Sequence, residues 1–306
     1  IYYFYGIDGI VPAIIISSIL SFFIANFFSN KLTFEKIKVT LEETRLESRS
    51  MLQLGIMLSL SGLMSTGAAF ILRIFISNTG GVEDVGLYAA GFSIINTYVG
   101  LVFTAMGTDY FPRLSGIAHD FIKSNLLINQ QAEIGVLILA PILAIFLIFI
   151  DWIVVLLYSS KFIPINEMLH WAALGMYFKV VGWCMGYLLI AKGATKVFFS
   201  TQVVSTIYSL LLNIIGYKFY GLGGLGISYL LGYIIYFFQI YFVLNKRYKF
   251  SFNKNFLKIF GLQLSIGLLC FMMIKFVPNP WAYLFGLPFI GLSAYYSFIE
   301  LDKRID

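Results

Sequence analysis

Nine apolar stretches, each close to 20 residues or longer, are the feature that most constrains this sequence. A helix needs about 20 mostly apolar residues to span a bilayer. Polar segments such as Asn78–Gly81 and Lys192–Lys196 separate most of the stretches. We therefore predict an all-α, polytopic membrane bundle with spans near 8–28, 51–77, 86–108, 134–158, 166–190, 197–217, 223–245, 256–276 and 280–299.

The composition agrees with a membrane protein. Hydrophobic residues make up 59% of the 306 residues and charged residues only 12%, whereas a soluble domain carries about 25% charged residues. Cys184 and Cys270 lie far apart inside apolar runs, so they predict neither a disulfide framework nor a metal site. We expect no signal peptide, and because the sequence starts at Ile1 we expect it to be a fragment.

The distribution of Lys and Arg predicts the topology. Sixteen of the 21 fall in alternate loops and the tail, three fall in the intervening loops, and two lie within spans. Cytoplasmic loops collect positive charge. We therefore expect residue 1 outside, the C-terminus in the cytoplasm, and the loop at 29–50 in the cytoplasm.

Two segments near this predicted cytoplasmic face have sequences typical of the membrane surface. Residues 34–50, FEKIKVTLEETRLESRS, predict a surface helix joining two lobes, with a solvated connector as the alternative. In the loop after the third span, Pro112 is expected to end the preceding helix. Tyr110 and Phe111 are expected to serve as aromatic anchors in the headgroup region.

Two apparent motifs have a simpler interpretation. Gly221–Gly226 matches the dinucleotide pattern G-x-G-x-x-G, but a membrane helix precedes it and no acid follows before residue 300. Small residues for close helix packing explain it better, and the same holds for Gly182 and Gly186. His119 and His170 are the only histidines, and we expect no metal, no cofactor and no catalytic centre.

Ionisable residues within membrane spans are costly and mark candidate sites. Lys179 lies about halfway through its span, where it either faces a cavity or pairs with a carboxylate such as Asp151. Arg73 either contributes to the outer part of a cavity or extends to the membrane surface. Asp109 and Arg113 lie at the predicted cytoplasmic mouth. The candidate substrate-binding residues are therefore Lys179, Arg73, Asp109, Arg113 and Asp151.

The charge balance between residues 168 and 299 favours an anionic cargo. This region holds ten Lys or Arg residues and no acid. The cytoplasmic loops explain part of the excess, but they do not explain Lys179. A cation in a water-filled cavity attracts anions such as phosphate.

Three stretches carry a resemblance to a known family. VGLYAAGFSIINTYVGLVFTAMGTDYFPRLS, from Val85 to Ser115, opens a helix with Gly86-Leu-Tyr88 and closes with Pro112-Arg-Leu-Ser115. DWIVVLLYSSKFIPINEMLHW and LLNIIGYKFYGLGGLGISYLLGY fit the same pattern further along the chain. Over roughly residues 5–250 the sequence resembles the polysaccharide repeat-unit flippases, the Wzx-like O-antigen and capsule transporters of the superfamily that includes multidrug extruders.

This resemblance implies a fold with two six-helix lobes and two extra helices. On that plan, 1–28 is the last helix of the first lobe, 29–50 the cytoplasmic inter-lobe linker, 51–245 the six-helix C-terminal lobe, and 246–306 two additional helices and the tail. It also implies that five helices of the first lobe precede this sequence.

The function implied is that of a flippase, not an enzyme, moving undecaprenyl-pyrophosphate-linked oligosaccharide across the bacterial cytoplasmic membrane. The implied partners are this lipid-linked substrate, membrane lipids and a polysaccharide polymerase complex, with no nucleic acid. A multidrug-type cation antiporter is the alternative within transport, although it would favour an acidic cavity. A membrane enzyme of the same pathway is the alternative outside transport, although such enzymes usually carry a large outer loop and the predicted outer loops are short.

Overall fold

The structure is a computed structural model that describes residues 5–30, 40–278 and 280–304. Within those ranges it is helical, with short 3-10 turns at Gly6–Gly9 and Ser160–Ile165. In the described part of the chain, eight helices are long and apolar enough to cross a membrane. They are α1 (Ile10–Ser29), α2 (Leu41–Gly80), α3 (Val82–Ile117), α4 (Phe121–Leu157), α5 (Asn166–Ala191), α6 (Thr195–Tyr248), α7 (Lys254–Phe276) and α8 (Trp281–Asp302).

Helix α6 accounts for two of the nine predicted spans. Gly221 interrupts its 54 residues with φ 56° and ψ −139°, a conformation that only glycine adopts readily. Beyond this turn the chain runs back, since Ser228 Oγ donates to the Leu212 carbonyl at 2.6 Å and Gln239 Nε2 donates to the Thr201 carbonyl at 3.1 Å. The first arm (195–220) and the second arm (222–248) are therefore antiparallel, and each predicted span corresponds to a helix or an arm.

The chain divides into two compact units, residues 1–49 and 50–306. In the first unit, none of the residues of α1 is buried. Helix α2 begins at Leu41, inside the segment predicted as the linker, and runs on to Gly80. Residues 31–39, which hold the first part of the predicted surface helix, lie outside the described residues, and the assignment of ranges to lobes stays a prediction.

The second unit is built around α4 and α5. Helix α5 packs against α3, α4, α6 and α7, and α4 packs against α3, α5, α7 and α8. The side chains of Ile128, Leu137, Leu147, Val181 and Leu189 on these two helices are completely buried. A helix that is apolar on all sides can occupy the centre of a bundle, which explains why these two helices form the core.

The glycines of the apparent dinucleotide motif pack helices closely, as the sequence predicts. A Cβ on Gly224 would collide with the Gly216 carbonyl of the other arm, and one on Gly226 would collide with the Met168 backbone of α5. Gly182 and Gly186 leave room for Tyr236. Small residues allow membrane helices to approach until their backbones touch.

Two predictions for the end of α3 are wrong. Pro112 lies inside the helix, which continues to Ile117. Proline removes one intrahelical hydrogen bond, but Pro112 is exposed at the end of the bundle, where water can satisfy the Thr108 carbonyl. Tyr110 is fully buried and donates to the Cys184 carbonyl at 2.8 Å, so this phenol is a packing residue and not a headgroup anchor.

The loops of the second unit gather at two ends of the bundle, in the alternation predicted from charge. At one end, Lys192 Nζ donates to the Ala118 carbonyl, and Asn129 on α4 bonds to the loop before α7. At the other end, Tyr217 donates to Asp84, and Lys275 Nζ lies 3.2 Å from Glu167 Oε1. We refer to these as the predicted cytoplasmic end and the predicted outer end.

Candidate functional site: a cavity around Lys179

A cavity of about 390 Å³ lies between α2, α3, α5 and both arms of α6. Its wall combines aromatic rings with hydroxyl and amide groups. Lys179 is the one charged residue among the described residues that line it. The lining residues are Ser65, Ala68, Ala69, Leu72, Tyr88, Phe92, Lys179, Trp183, Gln202, Ser205, Thr206, Tyr208, Ser209, Leu210, Asn213, Ser228, Tyr229, Gly232, Tyr233 and Tyr236.

The helix bounds confirm that Lys179 lies deep within its span. It is the fourteenth of the 26 residues of α5. At 1.5 Å per residue, its backbone lies roughly 20 Å from the start of the helix. A charge at the centre of a spanning helix costs about 2.5–3.5 kcal/mol on insertion scales, so its surroundings must compensate.

The compensation comes from neutral dipoles and aromatic faces. Lys179 Nζ donates to Asn96 Oδ1 at 3.3 Å and to the Tyr229 hydroxyl at 3.2 Å. It also lies 5.7 Å from the ring centroids of Phe103 and Tyr229 and 5.3 Å from that of Tyr233, within the range of cation–π attraction. In the described part of the chain, no carboxylate lies within 4 Å of this ammonium group.

The predicted alternative, an ion pair between Lys179 and Asp151, is therefore wrong. Asp151 accepts hydrogen bonds from Asn166 Nδ2 and, at 3.3 Å, from the Tyr283 hydroxyl. These contacts join α4 to the start of α5 and to α8 at the predicted outer end. Periodicity places Asp151 and Lys179 on neighbouring helices, but the register of the two helices keeps their charges apart.

A tyrosine-rich wall lies opposite Lys179 and was not among the predicted features of the site. Tyr229, Tyr233 and Tyr236 recur at spacings of four and three residues, which places them on one face of the second arm of α6. The rings of Tyr229 and Tyr233 lie 4.7 Å apart between centroids. This spacing is visible in the sequence, and it could have indicated an aromatic face.

Arg73 is exposed and lies beside the cavity wall, not in it. It follows the lining residues Ser65 and Ala69 at successive intervals of four on α2, so the three share one helix face. Arg73 makes no ion pair within the described ranges.

Asp109 and Arg113 pair with each other near the predicted cytoplasmic end of α3. Arg113 Nη1 lies 2.9 Å from Asp109 Oδ2, and the two side chains are 58% and 71% exposed. An exposed pair at this spacing contributes about 0.3–0.5 kcal/mol. Neither residue lines the cavity around Lys179, so the structure does not bring the five candidate residues into one site.

A second, apolar cavity of about 300 Å³ adjoins the first. It lies between α3, α4 and α5, and Ile94, Leu143 and Phe146 are among its lining residues. Met176 lines this groove, and its sulfur accepts a hydrogen bond at 3.4 Å from the Tyr229 hydroxyl of the polar cavity. The polar cavity around Lys179 and the apolar cavity are therefore adjacent at the contact between Tyr229 and Met176.

Comparison with solved structures identifies the fold. The chain is similar to the lipid II flippase MurJ in an inward closed conformation, with 17% identity and a TM-score of 0.65 over 91% of this chain. It spans 59% of that structure's length. A multidrug resistance MATE family transporter of the MOP superfamily, in an outward-facing conformation, matches with 18% identity and a TM-score of 0.53 over 85% of this chain and 68% of its own.

A third solved structure has the same type of fold. It is a MOP superfamily transporter from Pyrococcus furiosus, described as having a binding pocket of reverse polarity that suggests a different function. It is 17% identical, with a TM-score of 0.50 over 78% of this chain and 56% of its own. The predicted all-α membrane bundle with a MATE-like transporter fold is therefore confirmed.

Sequence comparison identifies the family. No curated protein sequence matches the chain. The family model described as polysaccharide biosynthesis protein matches residues 2–167, more than half of the 306 residues. This multi-pass membrane protein, with the helical fold of the MOP superfamily transporters, thus belongs to the polysaccharide biosynthesis protein family.

Proposed function

We propose that the protein is a flippase that carries an undecaprenyl-pyrophosphate-linked oligosaccharide from the cytoplasmic to the outer leaflet of the bacterial inner membrane. The single observation that carries this proposal is the cavity around Lys179. It offers a deep cation with no acidic partner among the described residues, together with many hydroxyl and amide groups. An anionic diphosphate and a sugar chain require those two kinds of partner.

The chemistry of each part of the substrate suggests where it binds. Lys179 would attract the diphosphate, and the hydroxyls and rings of Tyr229, Tyr233 and Tyr236 would contact the sugars. The apolar groove that meets the cavity at Met176 supports a role in receiving part of the lipid chain. The family assignment and the resemblance to a lipid II flippase are consistent with this distribution.

The other candidate residues would act at the two ends of the path. We place Arg73 at the outer margin of the cavity, and Asp109 and Arg113 at the cytoplasmic rim, where they would border the entry side. Asp151 would act indirectly, by holding α4, α5 and α8 together at the outer end. A polysaccharide polymerase complex would be the partner that uses the delivered repeat unit.

The first prediction tests Lys179 by two substitutions. Lys179→Met removes the charge and keeps most of the stem volume, so the protein should insert and fold but fail to restore surface polysaccharide in a flippase-deficient strain. Lys179→Arg keeps the charge and should retain activity. The measurement is surface polysaccharide at matched protein level in the membrane.

A matched control separates this effect from a general loss of positive charge. Lys218→Met removes an exposed lysine near the end of the first arm of α6, at the predicted outer end and outside the cavity wall. It should leave polysaccharide export unchanged. Full export by Lys179→Met at normal expression would refute the anion-binding role of Lys179 and remove the main support for this function.

A multidrug-type cation antiporter is the second candidate, favoured by the similarity to the MATE family transporter. Such a protein would need negative charge in its cavity, because its cargo is cationic. None of the described residues that line the cavity around Lys179 is acidic. Increased drug sensitivity of a deletion strain with intact surface polysaccharide would favour this alternative.

A further inference from the structure

A separate cavity of about 400 Å³ opens at the predicted cytoplasmic end, where α4 begins, the second arm of α6 ends and α7 begins. It shares no lining residue with the cavity around Lys179. Amide and hydroxyl side chains form one side of its wall and apolar side chains form another, and one lysine also lines it. The lining residues are Phe121, Ile122, Asn125, Leu126, Asn129, Tyr248, Lys249, Ser251 and Asn253.

Hydrogen bonds fix the polar side of this cavity. Asn129 is buried, and its Nδ2 donates to the Ser251 carbonyl at 3.1 Å and to Asn125 Oδ1 at 3.0 Å. Its Oδ1 accepts from the Asn253 backbone N–H at 2.9 Å. The Asn253 side chain in turn accepts from the Phe256 N–H at 2.6 Å and caps α7. The polar wall is therefore formed before any ligand binds.

Two lysines supply positive charge at this cavity. Lys249 lines it directly and is exposed. Lys192 Nζ lies 4.5 Å from the ring centroid of Phe121 and 4.8 Å from that of Tyr248, both of which line the cavity. Burial lowers the pKa of Lys192, and a bound anion would raise that pKa again by stabilising the charged form.

Asp120, the acidic residue nearest in sequence to the residues that line this cavity, already has partners of its own. Asp120 caps α4 by accepting from the backbone N–H groups of Ile122 and Lys123, both at 3.0 Å, and it pairs with Lys123 Nζ at 3.6 Å. Within the described residues, neither Lys192 nor Lys249 forms an ion pair. Lys192 Nζ donates to the Ala118 carbonyl, which is a neutral group, so the positive charge of both lysines is not neutralised by these contacts.

The apolar side of the cavity indicates a ligand with hydrocarbon chains. The exposed fractions of Phe121, Leu126 and Ile122 are 56%, 54% and 82%. A free phosphate would use the lysines and leave this surface unpaired. A phospholipid would place its phosphate at the lysines and its acyl chains against the apolar residues.

We propose that this cavity binds the phosphate headgroup of an anionic phospholipid from the cytoplasmic leaflet. Basic pockets between membrane helices on the cytoplasmic side are suited to such headgroups. Lys249 and Lys192 contact the phosphate, while Asn125 and Ser251 bond to the glycerol oxygens. Ile122 and Leu126 contact the start of the acyl chains. This proposal is independent of the transported substrate.

Thermal unfolding of the purified protein in neutral detergent tests the site. Phosphatidylglycerol, phosphatidylcholine with the same acyl chains, and soluble glycerol phosphate are titrated separately, and an apparent Kd is obtained from each shift in Tm. Phosphatidylglycerol should raise Tm and the other two should not. Removing one lysine should weaken its binding about five-fold, because each charge near the surface contributes about 1 kcal/mol.

Lys249→Asn is the most informative variant. Lys249 has a left-handed backbone, with φ 50°, and asparagine tolerates that conformation while losing the charge. The variant should therefore fold with an unchanged Tm in lipid-free detergent and bind phosphatidylglycerol about five-fold more weakly. Lys192→Met should have a similar effect, and the double variant should bind about 25-fold more weakly.

Lys258→Gln is the matched control. Lys258 is exposed on α7 near the same end of the bundle but does not line the cavity. It should keep the affinity of the unmodified protein. Equal binding of phosphatidylcholine, an equal response to glycerol phosphate, wild-type affinity in Lys249→Asn, or an equal loss in Lys258→Gln would each overturn the proposal.

Discussion

Replacing Gly226 by alanine should destabilise the bundle, because α5 and the second arm of α6 touch backbone to backbone at this residue. A Cβ at Gly226 would lie 2.8 Å from the Met168 Cα and 2.9 Å from its carbonyl carbon, and it would collide with the carbonyl oxygen. Carbon atoms in contact lie about 3.5–4.0 Å apart. The two helices must therefore separate locally by roughly 0.7–1 Å.

The cost follows from the packing that this separation disrupts. A gap of 0.5–1 Å removes about a quarter to a half of the dispersion energy of each affected contact. Overpacking of this kind usually costs about 1–3 kcal/mol. Alanine gains about 0.8–1.0 kcal/mol over glycine in helix propensity. The expected net loss is therefore about 0–2 kcal/mol in the free energy of unfolding.

Gly232→Ala is the matched substitution on the same arm. A Cβ at Gly232 would meet only Ser209 Oγ, at 3.5 Å, which is an ordinary contact. This variant should be as stable as the parent protein or more stable, by up to about 1 kcal/mol. Equilibrium unfolding in mixed detergent micelles measures both. If Gly226→Ala is as stable as Gly232→Ala, the close contact between α5 and α6 is not rigid and the reasoning is refuted.

Two further predictions concern the outer margin of the cavity and the topology. Arg73→Ala should reduce surface polysaccharide more than Arg73→Lys, because the lysine variant keeps a cation beside the cavity wall. Normal amounts of polysaccharide in both variants would contradict a role of Arg73 in the proposed transport. A membrane-impermeant maleimide added to intact cells should label Asn78→Cys, at the predicted outer end, and not His119→Cys, at the predicted cytoplasmic end. Cys184 and Cys270 are buried and should contribute little background. Labelling of His119→Cys would contradict the predicted topology.

The fold could be predicted from the sequence because membrane insertion depends on features that are local in sequence. Length and hydropathy located the spans, and the alternation of Lys and Arg assigned loops to ends. Even the turn between the two arms of α6 was visible, because Gly221 follows a span and precedes further glycines. The register between helices is not local in this sense, and the wrong predictions for Tyr110 and for a Lys179–Asp151 ion pair arose from it.

Tyr110 and Lys179 illustrate what the sequence leaves open. Next to Pro112, Tyr110 had the character of a surface anchor, yet its partner is a carbonyl 74 positions away on α5. Lys179 was identified by its depth, but its partners, Asn96 and Tyr229, depend on how α3 and α6 rotate against α5. Depth in the membrane follows from position along one helix, whereas facing partners follow from the packing of several.

The contacts of Glu133 with the end of the chain have a consequence for movement. Glu133 is buried on α4, and its carboxylate lies 2.6 Å from Arg304 Nη2 and accepts a hydrogen bond from Asn255 Nδ2 at 3.0 Å. Removing one partner of a buried ion pair costs about 3–5 kcal/mol because the other charge is left uncompensated, so separating Glu133 from Arg304 is strongly disfavoured. Asn255 at the start of α7 and Arg304 just beyond α8 thus both bind to Glu133 on α4. In the proposed transport cycle, any rocking of α4 would move both helices with it as one rigid unit, and hinges would have to form elsewhere in the bundle.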